Sequence, residues 1–116
     1  MRYVEFKAGN AEYKLRLGAN EIINLERKLQ DNPLNVLMKI EDDGLPKIET
    51  LLYILHGSLQ RFHHGITLED VADIYDNYVE SGGTFTDLLT EMVEVFKVSG
   101  FFKEPSKKGK KAVMKA

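Results

Sequence analysis

The fold is decided by residues 47–62, which read KIETLLYILHGSLQRF. Apolar residues recur in this stretch every three or four positions, the spacing that places them on one face of an α-helix. That face carries Ile48, Leu51, Leu52, Leu55, Leu59 and Phe62. Tyr53 and Ile54 make the flank of the helix apolar as well. We therefore expect this helix to lie at the centre of the domain, with the other elements packed around it.

A different period precedes it near the N-terminus. Residues 2–8 and 12–17 alternate apolar and polar side chains, which is the pattern of β-strands with one buried face. The apolar positions are Val4, Phe6, Tyr13, Leu15 and Leu17. Between the segments, Gly9-Asn10 is a pair that supplies the positive φ angles of a tight turn. The pattern predicts a β-hairpin, and because a lone hairpin is marginal in water, helices should cover its apolar face.

Two further helices are predicted between the hairpin and the central helix. The first starts near Asn20, and its apolar stripe consists of Ile22, Leu25 and Leu29, widened by Ile23. The second, over residues 33–40, has Asn32 as N-cap and Pro33 at the first position, where its missing N–H costs nothing. Its inward residues are Leu34, Leu37 and Met38. An acidic loop over residues 41–46 should follow.

Two more helices follow residue 66. One has Thr67 as its cap and a predicted stripe of Leu68, Val71, Ala72, Tyr75, Tyr78 and Val79. The last covers residues 84–99, with Phe85, Leu88, Leu89, Met92, Val93 and Phe96 on its apolar face. Gly100 is a suitable C-terminal cap because glycine adopts the left-handed conformation readily. The predicted fold class is α+β, mostly α: one N-terminal hairpin packed on about five helices in a single domain, residues 1–102.

Charge is divided unevenly along the chain. Residues 103–116 contain six lysines and one glutamate, a net charge of +5, whereas residues 1–102 contain ten basic and seventeen acidic residues, a net charge of −7. The terminal segment has no hydrophobic periodicity and too little apolar surface to offset the entropy of ordering. We predict a disordered basic tail that includes Lys107, Lys108, Lys110 and Lys111. It is a nucleic-acid-binding segment, an arm for an acidic protein partner, or a solubilising terminus.

Several classes of function are disfavoured. The chain has no cysteine, which excludes a disulfide scaffold, a thiolate zinc site and a cysteine nucleophile. Its apolar runs are too short to span a membrane, and residues 1–5 have no signal-peptide core, so we expect a cytoplasmic protein. His63 and His64 are adjacent and point apart, while His56 lies two turns earlier, so no metal site is predicted. No nucleophile or phosphate-loop motif occurs, and we predict no catalytic residue, no cofactor and no enzyme activity.

Six large apolar residues have two alternative roles. They are Tyr53, Ile54, Tyr75, Tyr78, Phe101 and Phe102. These side chains either line an apolar groove for a partner helix or belong to the core. For Phe101 and Phe102, the core alternative is closure of the domain just after the Gly100 cap. We take all six as candidate partner-binding residues, and an exposed apolar patch of this kind is also compatible with self-association.

The order of these elements resembles one known family. The resemblance is carried by the hairpin of residues 3–17, the words EIINLE (21–26), NPL (32–34), LLYIL (51–55) and DIYDNY (73–78), and the ending SGFF (99–102). Together they are similar to the tail assembly chaperones of long-tailed bacteriophages and prophages of Gram-positive bacteria. The resemblance covers residues 3–102.

The resemblance implies a non-enzymatic protein that binds the tape-measure protein during tail assembly and helps recruit tail-tube subunits. Such a protein acts in the cytoplasm of the bacterial host and is absent from the mature virion. Many members also occur in a longer form made by ribosomal frameshifting near the end of the short reading frame, a place that the lysine-rich residues 107–111 would fit. The alternatives are a small helical nucleic-acid-associated module that uses its lysine tail, with nucleic acid disfavoured by the acidic body, and a structural tail component.

Overall fold

The computed structural model describes residues 2–38 and 44–102. Three predictions fall wholly or partly outside the described residues: the end of the second helix at residues 39–40, the start of the acidic loop at residues 41–43, and the disordered tail with Lys107, Lys108, Lys110 and Lys111.

The described residues form one hairpin and five helices. The strands are β1 (Val4–Ala8) and β2 (Ala11–Leu15). The helices are α1 (Ala19–Leu29), α2 (Pro33–Met38), α3 (Ile48–Leu59), α4 (Leu68–Glu80) and α5 (Phe85–Val98). The predicted α+β, mostly α architecture with an N-terminal hairpin is therefore confirmed.

The hairpin turns at Gly9-Asn10, as predicted. The strands are antiparallel, with Phe6 opposite Tyr13 and Ala8 opposite Ala11. Gly9 has a φ of +67°, which glycine adopts without strain at the first position of a tight hairpin turn. Val4, Phe6 and Ala8 are buried. The apolar face of β1 is covered by α4 and α5, and β2 contacts α3.

Helix α3 is central, as its hydrophobicity predicts. It contacts α1, α4, α5 and β2, and Leu51, Ile54, Leu55 and Leu59 are fully buried. The prediction that Ile48 faces inward is wrong, because its side chain is 48% exposed. Ile48 is the first residue of the helix, and the buried part of α3 begins only at Leu51.

The buried face of α4 is rotated from the predicted one. Val71, Ile74 and Tyr78 are buried, whereas Leu68, Ala72 and Val79 are exposed. Apolar residues occur on more than one side of this helix, so their spacing is compatible with two overlapping buried faces. The packing of α4 against β1 and α3 determines which face is buried. The same ambiguity explains Ile23, which is exposed on α1, and Val95, which is fully buried on α5 but was absent from the predicted stripe.

Polar caps fix several helix ends. Asn32 Oδ1 accepts hydrogen bonds from the amides of Leu34 (2.9 Å) and Asn35 (3.2 Å), as predicted for the N-cap of α2. Thr67 Oγ1 accepts from the Asp70 amide at 3.1 Å, while Asp70 accepts from the Thr67 amide at 2.9 Å. The bond from the Thr67 amide favours the carboxylate and, with the Thr67 side chain as a second cause, lowers the pKa of Asp70.

The end of α5 explains the position of Phe101. Gly100 has a φ of +95°, its amide bonds to the carbonyl of Lys97, and the Phe101 amide bonds to the carbonyl of Phe96. This is a Schellman motif, which confirms the predicted glycine cap. The Phe101 ring packs edge-on against the Phe96 ring, with centroids 5.1 Å apart. Phe101 thus extends the core at the point where the helix ends.

Candidate functional site

A close contact between two helices lies beside two neighbouring depressions in the surface. At Gly57 of α3, an added Cβ would lie 3.2 Å from Leu25 Cδ1 of α1, so the absence of a side chain lets α1 approach closely. Beside this contact, two depressions of about 370 Å³ and 210 Å³ adjoin each other. Both are lined by Lys28 and Tyr53. We call them together the α1–α3 groove.

The larger depression has an apolar lining at the C-terminal end of α1 and the N-terminal end of α3. Its apolar lining residues are Leu29, Val36, Leu45 and Pro46. Leu45 is 58% exposed, the largest exposed fraction among the large apolar side chains of the described residues. Lys47 and Glu49 lie at the edge with opposite charges. The larger depression therefore offers apolar contacts together with charges of both signs, a combination found at protein-binding surfaces.

Tyr53 lies where the two depressions meet. Its side chain is half-buried, and the Lys28 ammonium is 5.3 Å from the centre of its ring. A cation over an aromatic face at an exposed site contributes about 0.5–1 kcal/mol. That contact is weak enough for an incoming side chain to replace it. Tyr53 is thus an aromatic residue covered by one flexible side chain.

His56 lines the smaller depression, one turn after Tyr53. Its ring Nε2 lies 3.2 Å from the carbonyl oxygen of Ile66, and Gln60 Nε2 donates to the same oxygen at 2.9 Å. Burial lowers the pKa of His56, and the nearby positive charge of Lys28 lowers it further. The imidazole is therefore neutral at pH 7, and its bond to Ile66 holds the chain after α3 against the helix.

The six predicted contact residues do not form one surface. Tyr53 lies in the groove, but Ile54 is fully buried on the other side of the same helix. Tyr78 is 9% exposed, and its ring centroid lies 4.9 Å from that of Phe6. For Ile54 and Tyr78 the core alternative therefore holds, because each is enclosed by its neighbours. Tyr75 is half-buried on α4.

Phe101 and Phe102 are half-buried, and Phe101 lies at a second, separate depression. This cavity of about 420 Å³ lies between the start of α1 and the end of α5, and Phe101 and Ile23 both line it. Arg16 fixes its geometry, because its guanidinium Nη1 donates to the carbonyl of Val98 at 3.0 Å. The Leu17 amide also donates to Ser99 Oγ at 2.9 Å. These bonds join β2 to the C-terminal end of α5.

Sequence reasoning missed three residues of these surfaces: Lys28 and Leu45 in the α1–α3 groove and Ile23 beside Phe101. Lys28 lies outside the apolar stripe of α1, and no local pattern pairs it with Tyr53. Leu45 was placed in a loop. Ile23 was assigned to the core stripe of α1, but its 45% exposure places it at the surface. A signal was present only for Ile23, since it departs from the spacing of Ile22, Leu25 and Leu29.

Three acidic groups lie close together on α5. Burial raises the pKa of Glu91, and the charges of Glu94 and Asp87 raise it further. Burial also raises the pKa of the Tyr78 hydroxyl, with Glu91 as the next cause.

Within residues 2–38 and 44–102, no group of three or more histidines and carboxylates has the geometry to hold a metal ion. Among the described helices, none has the length and hydropathy needed to cross a bilayer.

Comparison with known proteins gives one match. The comparisons with curated proteins and with solved structures yield none. The matching family covers residues 3–116, and so includes the lysine-rich residues that follow the described domain. The chain therefore belongs to DUF6096, a family of unknown function.

Proposed function

We propose that this protein is a non-enzymatic tail assembly chaperone of a long-tailed phage or prophage, and that it binds the tape-measure protein through the α1–α3 groove. The observation that carries the proposal is the groove itself, a depression whose larger part has four apolar lining residues, with Tyr53 where its two parts meet and charged residues of both signs in its lining. The resemblance of residues 3–102 to such chaperones supplies the identity of the partner. In this role the protein acts in the host cytoplasm, helps recruit tail-tube subunits and is absent from the mature virion.

The size of the groove sets the mode of binding. The two depressions, of about 370 Å³ and 210 Å³, accept a few side chains but cannot enclose a helix. The client is therefore an amphipathic helix that places large apolar side chains, one or two turns apart, against Leu45 and Tyr53. Each such contact is weak. A long client with many similar helical segments would be covered by many copies of the protein.

The charge of the body favours a protein client over nucleic acid. Residues 1–102 have a net charge of −7, which repels a phosphate backbone at close range. The lysine tail remains the only basic segment that could neutralise phosphates. Removal of residues 103–116 separates the two functions, since it abolishes binding to nucleic acid but leaves the groove intact.

Co-expression with a tape-measure fragment tests the proposal. A helical fragment that is insoluble alone should become soluble with the wild-type protein and with a variant that lacks residues 103–116. Leu45→Arg, in the groove, should reduce the soluble fraction several-fold. Val79→Arg is the matched control, because Val79 is also an exposed apolar residue (41%) but lies on α4, away from the groove. A fragment that stays insoluble with the wild-type protein contradicts the proposal, as does equal loss in both variants.

The genetic setting gives an independent test. We expect a very long reading frame for a helical protein just downstream of the gene, and a slippery heptamer near codons 107–115 with an overlapping frame. Purified virions of the same phage should lack the protein. Its presence there at stoichiometric levels would favour a structural tail component instead.

A further inference from the structure

The two edges of the hairpin differ in what covers them. In an antiparallel pair closed by a two-residue turn, the residues flanking the turn exchange both main-chain hydrogen bonds, and the bonding then alternates along the strands. Ala8 and Ala11 flank the turn. The outward main-chain groups are therefore those of Glu12, Lys14 and Arg16 on one edge, and of Tyr3, Glu5 and Lys7 on the other.

The edge of β2 is covered by α3 and the residues just after it. The Lys14 amide donates to Nε2 of His63 at 3.0 Å, and the Arg16 amide donates to the carbonyl of Ser58 at 2.9 Å. Both bonds confirm the outward direction of these amides. Main-chain groups that would otherwise be open to another strand are thus satisfied within the domain.

The edge of β1 has no such cover from the described residues. The sheet has two strands, and none of the hydrogen bonds among residues 2–38 and 44–102 involves the outward main-chain groups of Glu5 or Lys7. Both side chains are exposed. Val4, Phe6 and Ala8 point to the inner face, where α4 and α5 pack, so these helices cover the face of the strand.

We propose that a second copy of this chain binds the edge of β1, pairing β1 with β1 about a two-fold axis to form a four-stranded antiparallel sheet. With Phe6 opposite Phe6 of the second copy, Glu5 lies opposite Lys7 and Lys7 opposite Glu5. Residues 5 and 7 both present outward main-chain groups, so each pair exchanges two main-chain hydrogen bonds. The sequence VEFKA of β1 is thus complementary to itself in charge and in hydrogen bonding.

The charges on β1 distinguish an edge that pairs with a second copy from an edge whose charges prevent pairing. Charged side chains on an edge strand commonly discourage pairing, and a row of one sign would repel a second copy. Here the signs are opposite at positions two apart, so antiparallel pairing about Phe6 replaces repulsion with two attractive cross-strand pairs. Lys7 already lies 3.5 Å from Glu12 in its own hairpin, in a pair whose side chains are 74% and 70% exposed.

Sedimentation velocity over a concentration series tests the proposal. The wild-type protein should show a concentration-dependent dimer. Glu5→Lys and Lys7→Glu should each weaken it by about tenfold or more, because each places like charges opposite one another. An equimolar mixture of the two variants restores opposite charges in both pairs and should dimerise again. Glu5→Pro removes an outward N–H that the hairpin does not use, and should also give a monomer.

Three results would overturn the proposal. One is a wild-type protein that stays monomeric at all concentrations. The second is a dimer that neither charge variant weakens, which would place the interface elsewhere. The third comes from hydrogen exchange: slow exchange of the Glu5 and Lys7 amides in the monomer would show that the chain covers this edge itself. Circular dichroism of each variant confirms that the hairpin and helices are retained.

Discussion

Two tyrosines, one on each side of helix α3, differ in how far their rings are buried. On the side of α4 and α5, Tyr78 packs against Phe6 and is 9% exposed. Gly83 lies over the same ring, since a Cβ there would be 2.5 Å from it. On the side of α1, Tyr53 is half-buried and is covered by Lys28. A tyrosine becomes a core residue or a contact residue according to what its neighbours place over the ring.

The N-terminal caps of the helices also differ between the two sides of α3. Helices α4 and α5 both begin with a threonine and an aspartate that exchange hydrogen bonds. Gly18 is the N-cap of helix α1, and its amide donates to Glu21 Oε1 at 2.7 Å, but glycine has no side chain to return a bond. We infer that the α4–α5 side is the more stable part of the domain, and the proposed client site lies on the other, α1–α3 side.

The largest effect should come from truncating the two tyrosines. Tyr78→Ala removes an enclosed ring and should lower the free energy of unfolding by about 3 kcal/mol. Tyr53→Ala, at the groove, should lower it by about 1 kcal/mol or less, since the ring is partly solvated and loses one exposed cation–π contact. Urea unfolding measures both. Equal losses would show that the two sides are closed to the same degree.

A smaller loss of stability is expected when Gly83 is replaced by alanine. Gly83→Ala places a methyl group against the Tyr78 ring and should lower the free energy of unfolding by about 2 kcal/mol. Gly65→Ala is the matched control, because no atom lies within 4 Å of the added Cβ. It should change stability by no more than about 0.5 kcal/mol. If Gly83→Ala lowered the free energy of unfolding no more than Gly65→Ala does, the Tyr78 ring would be free to move and the α4–α5 side would not be tightly packed.

The smallest effect concerns protonation in the groove. Burial and Lys28 lower the pKa of His56, and burial and Lys14 lower that of His63. NMR titration should show that Lys28→Ala raises the pKa of His56 and leaves that of His63 unchanged. Lys14→Ala should do the reverse. A Lys28→Ala variant with an unchanged His56 pKa would mean that Lys28 does not lie over the groove.

The same shifts predict how stability depends on pH. A histidine with a lowered pKa in the folded state binds protons more tightly when unfolded. Its contribution to stability is therefore complete above the unfolded pKa of about 6.5 and is lost as the pH falls from there toward the folded pKa. Thermal unfolding between pH 7 and pH 5 should show this loss, and His56→Gln should reduce it. A wild-type melting temperature that does not fall over this range would contradict the prediction.

The helices and strands could be predicted from the sequence, but which face of each helix is buried could not. The hairpin, the Asn32 and Thr67 caps and the Gly100 cap follow from local chemistry, and local chemistry is legible in one sequence. The exposure of Leu68 and Val79 and the burial of Ile74 depend on which side of α4 meets β1 and α3. The contact of Lys28 with Tyr53 joins two helices across 25 positions of sequence, and no periodicity within either helix encodes it.

The measurement that tests the central claim most directly is photocrosslinking from the groove. A benzophenone amino acid replaces Tyr53 in one variant and Tyr75 in another, both half-buried tyrosines on helices. With a soluble tape-measure segment present, we expect crosslinks to the client from position 53, at least several-fold more than from position 75, and their loss when Leu45→Arg is added. Equal crosslinking from both positions, or crosslinking from position 75 alone, would contradict the assignment of the α1–α3 groove as the client site.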